Sequence, residues 1–186
     1  MAPLTGYSTN FLTQALLDTG ILYLNDTTPF AASAGDLAFD PGDEWQNIAE
    51  DVDGVLQKVV GADRRIGGQP KFTGTIWELV DTKMDELIPD MTASGTDPRL
   101  ITPPAIGSLL PSNKYLTKVR GIWQLAGGSL KYMVVKFPNA LLTKYDIKSQ
   151  RKGHVQVSLE IEARAADASG AALYTIDFRS TIGGPD

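Results

Sequence analysis

The stretch Val155-Gln156-Val157-Ser158-Leu159-Glu160-Ile161-Glu162-Ala163-Arg164 decides the fold class. Val155, Val157, Leu159, Ile161 and Ala163 fall on one side of an extended chain. Gln156, Ser158, Glu160, Glu162 and Arg164 fall on the other. A period of two predicts a strand with one side on a core and the other wet. Upstream, residues 115–125 and 130–137 flank Ala126-Gly127-Gly128-Ser129. A Gly-Gly centre predicts a two-residue hairpin turn, because both positions can adopt positive φ. That register pairs Leu125 with Leu130, Trp123 with Tyr132 and Gly121 with Val134. Further strands are predicted at 20–25, 36–39, 52–60, 71–77 and 172–178. Val80, Met84, Leu87, Ile88 and Met91 form one helical stripe, and Pro89 ends the helix near Ile88. The expected class is mainly β: an antiparallel β-sandwich or partial barrel. One α-helix (about 79–88) flanks it, with long loops and arms.

The chain has 186 residues, of which 42% are hydrophobic and 21% charged, too apolar for a disordered chain. A chain this long buries a sizeable core. The expected organisation is an arm over 1–19 and a single β domain over 20–182, with long loops at 40–51 and 89–113. The 89–113 stretch holds five prolines and is expected to pack on the body as irregular chain. No apolar run approaches the roughly 20 residues of a membrane span. The N-terminus lacks a secretory pattern. These features predict a protein made in a reducing cytoplasm, without membrane insertion.

There are no cysteines and one histidine, His154. That removes disulfides, cysteine nucleophiles and multi-histidine metal sites. Asp51-Val52-Asp53-Gly54 touches on a calcium-loop pattern, but the twelfth position from Asp51 is Ala62 rather than glutamate. The glycines at 61, 67 and 68 make no dinucleotide or phosphate loop. Gly107-Ser108 lacks the nucleophile-elbow pattern. Glu160 and Glu162 stand about 7 Å apart along one strand face, a spacing a glycosidase pair could use. Alternating polar residues on a wet strand are the default reading of them, and no aromatic platform lies nearby in sequence. The sequence therefore predicts no catalytic residue, no metal site, no cofactor and no enzyme.

Net charge is −5, unevenly distributed. Residues 1–60 hold nine acids and one base, whereas 118–152 hold eight bases and one acid. Solvated faces explain such halves, and so does head-to-tail contact between identical copies. Trp45 stands in the acidic stretch, either tucked against its own domain or serving as an interface anchor. The spread of the bases and the negative total argue against a duplex-binding protein.

Several stretches resemble, in pattern and order, the major tail tube proteins of long-tailed (siphovirus-type) bacteriophages. They are Thr19–Asn25, Asp53–Arg65, Pro70–Leu79, Phe137–Tyr145 and Gly153–Arg164. The resemblance spans roughly residues 20–178. It implies a virion structural protein of the phage tail that self-assembles into hexameric rings. The rings would stack into a tail tube through which DNA is ejected. Implied partners are further copies of the chain and other tail proteins such as the tape measure and terminator. DNA would be only transiting cargo. The implied lumen-facing residues are Gln156, Ser158, Glu160 and Glu162. By position, Asp40, Asp43, Glu44, Trp45, Glu50 and Asp51 would form an inter-ring or inter-subunit loop, alongside the 1–19 arm. Lys118, Arg120, Lys131, Lys136, Lys148, Arg151 and Lys152 would form a basic interface, most of them pointing outward or into subunit contacts. A β-sandwich module for carbohydrate or protein, a hydrolase using the carboxylate pair, and a related tail-completion or secretion-tube ring protein are the alternatives.

Overall fold

The computed structural model describes residues 20–24, 28–32, 37–47, 61, 63–76, 87–96, 100–127, 129–148, 156–166 and 171–182. The arm over 1–19, the strand expected at 52–60 and nearly all of the helix expected at 79–88 lie outside them. Leu87 and Ile88, at the end of that stretch, are described and buried in the core.

Twelve strands occupy the described residues. They are β1 (Ile21–Leu24), β2 (Thr28–Ala32), β3 (Ala38–Asp40), β4 (Asp43–Asn47), β5 (Asp63–Gly68) and β6 (Lys71–Ile76). Then come β7 (Thr92–Ser94), β8 (Leu100–Thr102), β9 (Leu116–Gln124), β10 (Tyr132–Lys148), β11 (Gln156–Ala163) and β12 (Thr175–Arg179). A 3₁₀ turn, Ser112–Lys114, precedes β9. The fold is mainly β and antiparallel, in the partial-barrel form of the expectation.

Eight strands form the main sheet, in the order β2-β1-β9-β10-β11-β6-β3, with β12 also on β10. The 17-residue β10 is its spine. Tyr132–Lys136 pairs with both β9 and β12, and Ala140 with both β9 and β11. β12 and β11 therefore follow one another along one edge of β10, with β9 on the other.

The sheet curls into a half-barrel around an aromatic core. On a flat sheet, β6 and β10 would lie roughly 10 Å apart, two strand spacings. Yet Phe72 of β6 stacks on Phe137 of β10 with ring centroids 4.2 Å apart. Phe72 also meets Trp123 of β9 at 6.2 Å, and Phe39 of β3 meets Phe137 at 6.1 Å. The concave face is lined by Leu22, Leu24, Val119, Trp123, Val135, Phe137, Val157, Leu159 and Ile161. Burying side chains of this size stabilises the fold by about 1.5–3 kcal/mol each. Gly121 lies buried beneath them. A Cβ there would stand 2.7 Å from the Trp123 ring and 2.9 Å from that of Phe72, so the close packing requires glycine.

The β9–β10 hairpin differs by one residue from the expected register. Gln124 faces Tyr132, Trp123 faces Met133 and Gly121 faces Val135. The Leu125 N–H bonds to the Lys131 carbonyl at 2.7 Å, closing a loop over 126–130 rather than a two-residue turn. A one-residue slip moves a whole strand to the opposite face. Here it places Val135 and Phe137 on the concave side with Val119 and Trp123, and Leu130 is exposed.

The two stretches expected to be loops also contain strands. β4 pairs with β5, and β7 with β8, each as a separate two-stranded ribbon. The 100–111 segment does not pack on the body, because Leu100, Ile106 and Leu109 are all exposed.

Candidate functional site

The strict alternation of β11 survives in three dimensions. Val157, Leu159, Ile161 and Ala163 are buried, whereas Ser158, Glu160 and Glu162 lie half-buried on the convex face. Gln156 opens the strand opposite Lys148. Register sets the neighbours of the other three. Lys144 and Thr73 flank Glu160, Asp146 and Thr75 flank Ser158, and Lys71 and Leu141 flank Glu162. A cavity of about 250 Å³ opens on this face, lined by Thr73, Gly74, Thr75, Lys144, Ser158, Leu159 and Glu160.

Each acid of this face has a base in reach. Lys71 Nζ lies 3.6 Å from Glu160 Oε1, Arg164 2.6 Å from Glu162, and Lys148 3.7 Å from Asp146. The face is polar and charge-balanced rather than acidic. Both glutamates are paired with cations on this face.

The acidic stretch is the second candidate. Asp40 accepts a hydrogen bond from the Gly42 N–H at 2.9 Å, and Gly42 takes φ 55°, which turns the chain into β4. Asp43 then pairs with Arg65 at 2.6 Å, and the Asn47 amide donates to Asp63 at 2.9 Å. These contacts fix the β4–β5 ribbon. Its ladder skips Ile66 between Glu44 and Trp45, a bulge that leaves Ile66 without a partner in the register. Trp45 is 61% exposed and Ile66 56%, so the indole is not tucked against its own domain. Arg64 and Arg65 of β5 bring positive charge to this stretch, and no strand was expected over 63–68. Glu50 and Asp51 lie outside the described residues.

The basic segment does not form one surface. Lys118 and Lys131 are exposed, and Lys136 is half-buried. Lys118 takes φ 50° opposite Pro138, which has no N–H to offer the ladder. Lys148 lies beyond, at the far end of β10. Arg120 corrects the expectation of an outward cation. It is 5% exposed, with its guanidinium over the Tyr23 ring at 5.3 Å. β1 and β9 pair Tyr23 directly with Arg120, which places ring and cation on one face. Arg151 and Lys152 lie outside the described residues, as does His154.

Other exposed apolar side chains gave little sequence signal. Ile176 and Phe178 project from β12, Tyr145 and Ile147 from the end of β10, and Ile106 and Leu109 from a turn. Among the described residues, no group of three or more His, Cys, Asp or Glu side chains could hold a metal ion.

No protein-family model matches the chain, and no curated protein does. Among solved structures, it is similar to a chain of the structure titled "Virion of native gene transfer agent (GTA) particle". The two are 12% identical, with a TM-score of 0.40 over 86% of this chain and 95% of the other.

Proposed function

We propose that the chain is a virion structural protein of a long-tailed bacteriophage. It assembles into hexameric rings that stack into the tail tube, a channel for DNA delivery. The observation that carries this reading is the placing of exposed apolar pairs on separate elements: Trp45 with Ile66, Ile106 with Leu109, and Ile176 with Phe178. Single exposed apolar residues are ordinary. Several pairs on different elements suit a subunit with several neighbours. A stacked ring needs heterologous contacts both around the ring and along its axis. The order of sequence features that resembles tail tube proteins supports the same reading.

In this reading Gln156, Ser158, Glu160 and Glu162 face the lumen. A wall that DNA must pass should not hold phosphates, and the neutralised face built on β11 fits that requirement. The chain would reach its place in the virion tail after synthesis in the host cytoplasm. Its partners would be other copies and tail proteins such as the tape measure and terminator. No catalytic residue and no cofactor belongs to this role.

The test is negative-stain electron microscopy of the concentrated protein beside light scattering. Hollow rings or tubes of uniform width are the expected result. A monomer at every concentration, with and without tail-tip complexes added as initiator, would overturn the reading and favour a binding module.

A further inference from the structure

Resting on the assembly reading, we infer that the end of β10, Asp146–Lys148, pairs antiparallel with β12 of a second copy of this chain. The main sheet then runs on from copy to copy. Two sheet edges lie open among the described residues. β9 accompanies β10 only from Tyr132 to Ala140, whereas β11 accompanies it on to Lys148. Beyond Ala140 the β9 side of β10 carries no described strand, and Thr143–Lys148 are exposed. β12 pairs with β10 alone among the described strands, which leaves its outer edge open as well. Open edges are templates for another strand. Symmetric pairing of either strand with itself would fill one edge and leave the other open. Pairing β10 with β12 fills both in every copy.

Charge selects the direction and the register. Both strands carry an acid, an apolar residue and a base in succession, Asp146-Ile147-Lys148 and Asp177-Phe178-Arg179. In antiparallel pairing with Ile147 opposite Phe178, Asp146 meets Arg179 and Lys148 meets Asp177. Opposite charges facing across two strands are favourable and like charges are not. Parallel pairing sets Asp146 on Asp177 and Lys148 on Arg179. A slide of two residues sets Lys148 on Arg179 in one direction, and Asp146 on Asp177 in the other. A slide of one residue sets charges against apolar side chains. The faces agree too. Asp146 and Lys148 lie on the convex side with Ser158 and Gln156, and Asp177 and Arg179 lie on the same side with Val134 and Tyr132. Ile147 and Phe178, each 52% exposed, share the concave side with Val157 and Met133. Lysine on an edge ordinarily deters pairing. Here Lys148 gains Asp177, and Lys144 falls opposite the uncharged Thr181. The pairs each strand makes within itself, Lys148–Asp146 at 3.7 Å and Arg179–Asp177 at 2.6 Å, are exchanged across the contact rather than lost. The contact joins unlike edges, so it is heterologous and repeats.

The absence of cysteine allows a direct test. Residues directly opposite in an antiparallel pair have Cα atoms roughly 4.5–5.5 Å apart, within reach of a disulfide. Full-length Ile147→Cys and Phe178→Cys proteins are mixed and mildly oxidised. Tyr145→Cys mixed with Phe178→Cys, two residues off register, is the control. Mixed dimers several-fold above that control are expected. A charge swap on β12, Asp177→Lys with Arg179→Asp, keeps that strand's own ion pair but sets like charges on β10. It should leave the unfolding midpoint in place and raise the critical concentration for assembly roughly tenfold. Adding Asp146→Lys with Lys148→Asp should restore assembly. Wild-type rings or tubes with cross-linking at the control level, or with no response to the β12 swap, would overturn the strand contact and leave the assembly reading standing. A loss that the second swap does not repair would overturn the contact as well. Self-linking of Ile147→Cys that outruns the mixed product would overturn it in favour of symmetric β10 pairing. A wild-type monomer without mixed dimers would overturn both.

Discussion

Trp123 and Leu37 stand 86 residues apart in the chain, yet the indole N–H of one donates to the backbone carbonyl of the other at 3.2 Å. Leu37 immediately precedes β3, at one end of the main sheet, and Trp123 lies on β9, four ladder steps away. The bond spans the mouth of the curl and draws the β3 end of the sheet towards β9. Trp123→Phe keeps a ring in the core and removes this donor. Leaving a buried carbonyl short of its partner costs about 1–3 kcal/mol. Urea unfolding should show a lower midpoint with an unchanged slope, since the surface exposed on unfolding hardly changes.

Phe72 and Phe137 supply the stacked pair that holds β6 against β10 across β11. Phe72 is fully buried. Phe72→Ala should destabilise by about 3–5 kcal/mol, through lost transfer energy and the cavity left behind. A cycle of Phe72→Leu and Phe137→Leu isolates the stacking itself, expected at about 0.5–1.5 kcal/mol. A coupling near zero would show that the two rings contribute burial alone.

Gly121→Ala reverses the usual expectation for a strand. Alanine normally improves on glycine there, because glycine gives up more freedom on folding. At this position the new methyl meets the rings of Trp123 and Phe72 inside ordinary contact distance. Both rings are fixed by other neighbours, so the outcome should be a loss of about 1–3 kcal/mol. Thermal unfolding followed through tryptophan fluorescence reads it directly.

The Glu160 and Glu162 ion pairs should contribute little to stability, being partly exposed. Glu160→Gln and Glu162→Gln are each expected to cost less than about 1 kcal/mol. Their effect should appear in electrostatics. With both acids neutral, Lys71, Lys144 and Arg164 remain on the convex face without them. On the lumen assignment, tubes of the double variant should retain DNA at low salt and release it as salt rises, which filter binding would detect. Unchanged retention would place this face elsewhere.

How far the fold was legible depended on the range of the interaction. The face of β11 was readable residue by residue, because alternation is local and its apolar set is unbroken. The hairpin was readable as a hairpin but not in register. Gly127-Gly128 argued for the tightest turn, whereas burying Val135 and Phe137 beside Val119 and Trp123 chose the other pairing. Arg120 was misread as an outward base because its partner, Tyr23, arrives from a distant strand. The acidic stretch was misread as a loop for a similar reason. Its strand β4 has a pattern only when Arg64 and Arg65 of β5 stand beside it. The exposure of Ile106 and Leu109 had no local signature, since apolar residues among prolines occur as readily in packed loops.

Trp45 separates a contribution to folding from a contribution to assembly. Its indole is largely in water and sits on a ribbon whose own ladder and the Asp43–Arg65 pair hold it in place. Trp45→Ala should therefore leave the unfolding midpoint within about 0.5 kcal/mol of wild type, as for surface substitutions generally. If the ribbon is an inter-ring or inter-subunit element, the same change removes a large amphipathic anchor, and such anchors cost about 2 kcal/mol or more when truncated at an interface. Converted at about 1.4 kcal/mol per tenfold, the critical concentration for assembly should rise at least about tenfold. Sedimentation velocity across a concentration series measures that threshold. Trp45→Phe should recover part of it, because a smaller ring still fills the contact. A shift in assembly with stability unchanged assigns the ribbon to contacts between copies. A shift in stability alone would return Trp45 to its own subunit.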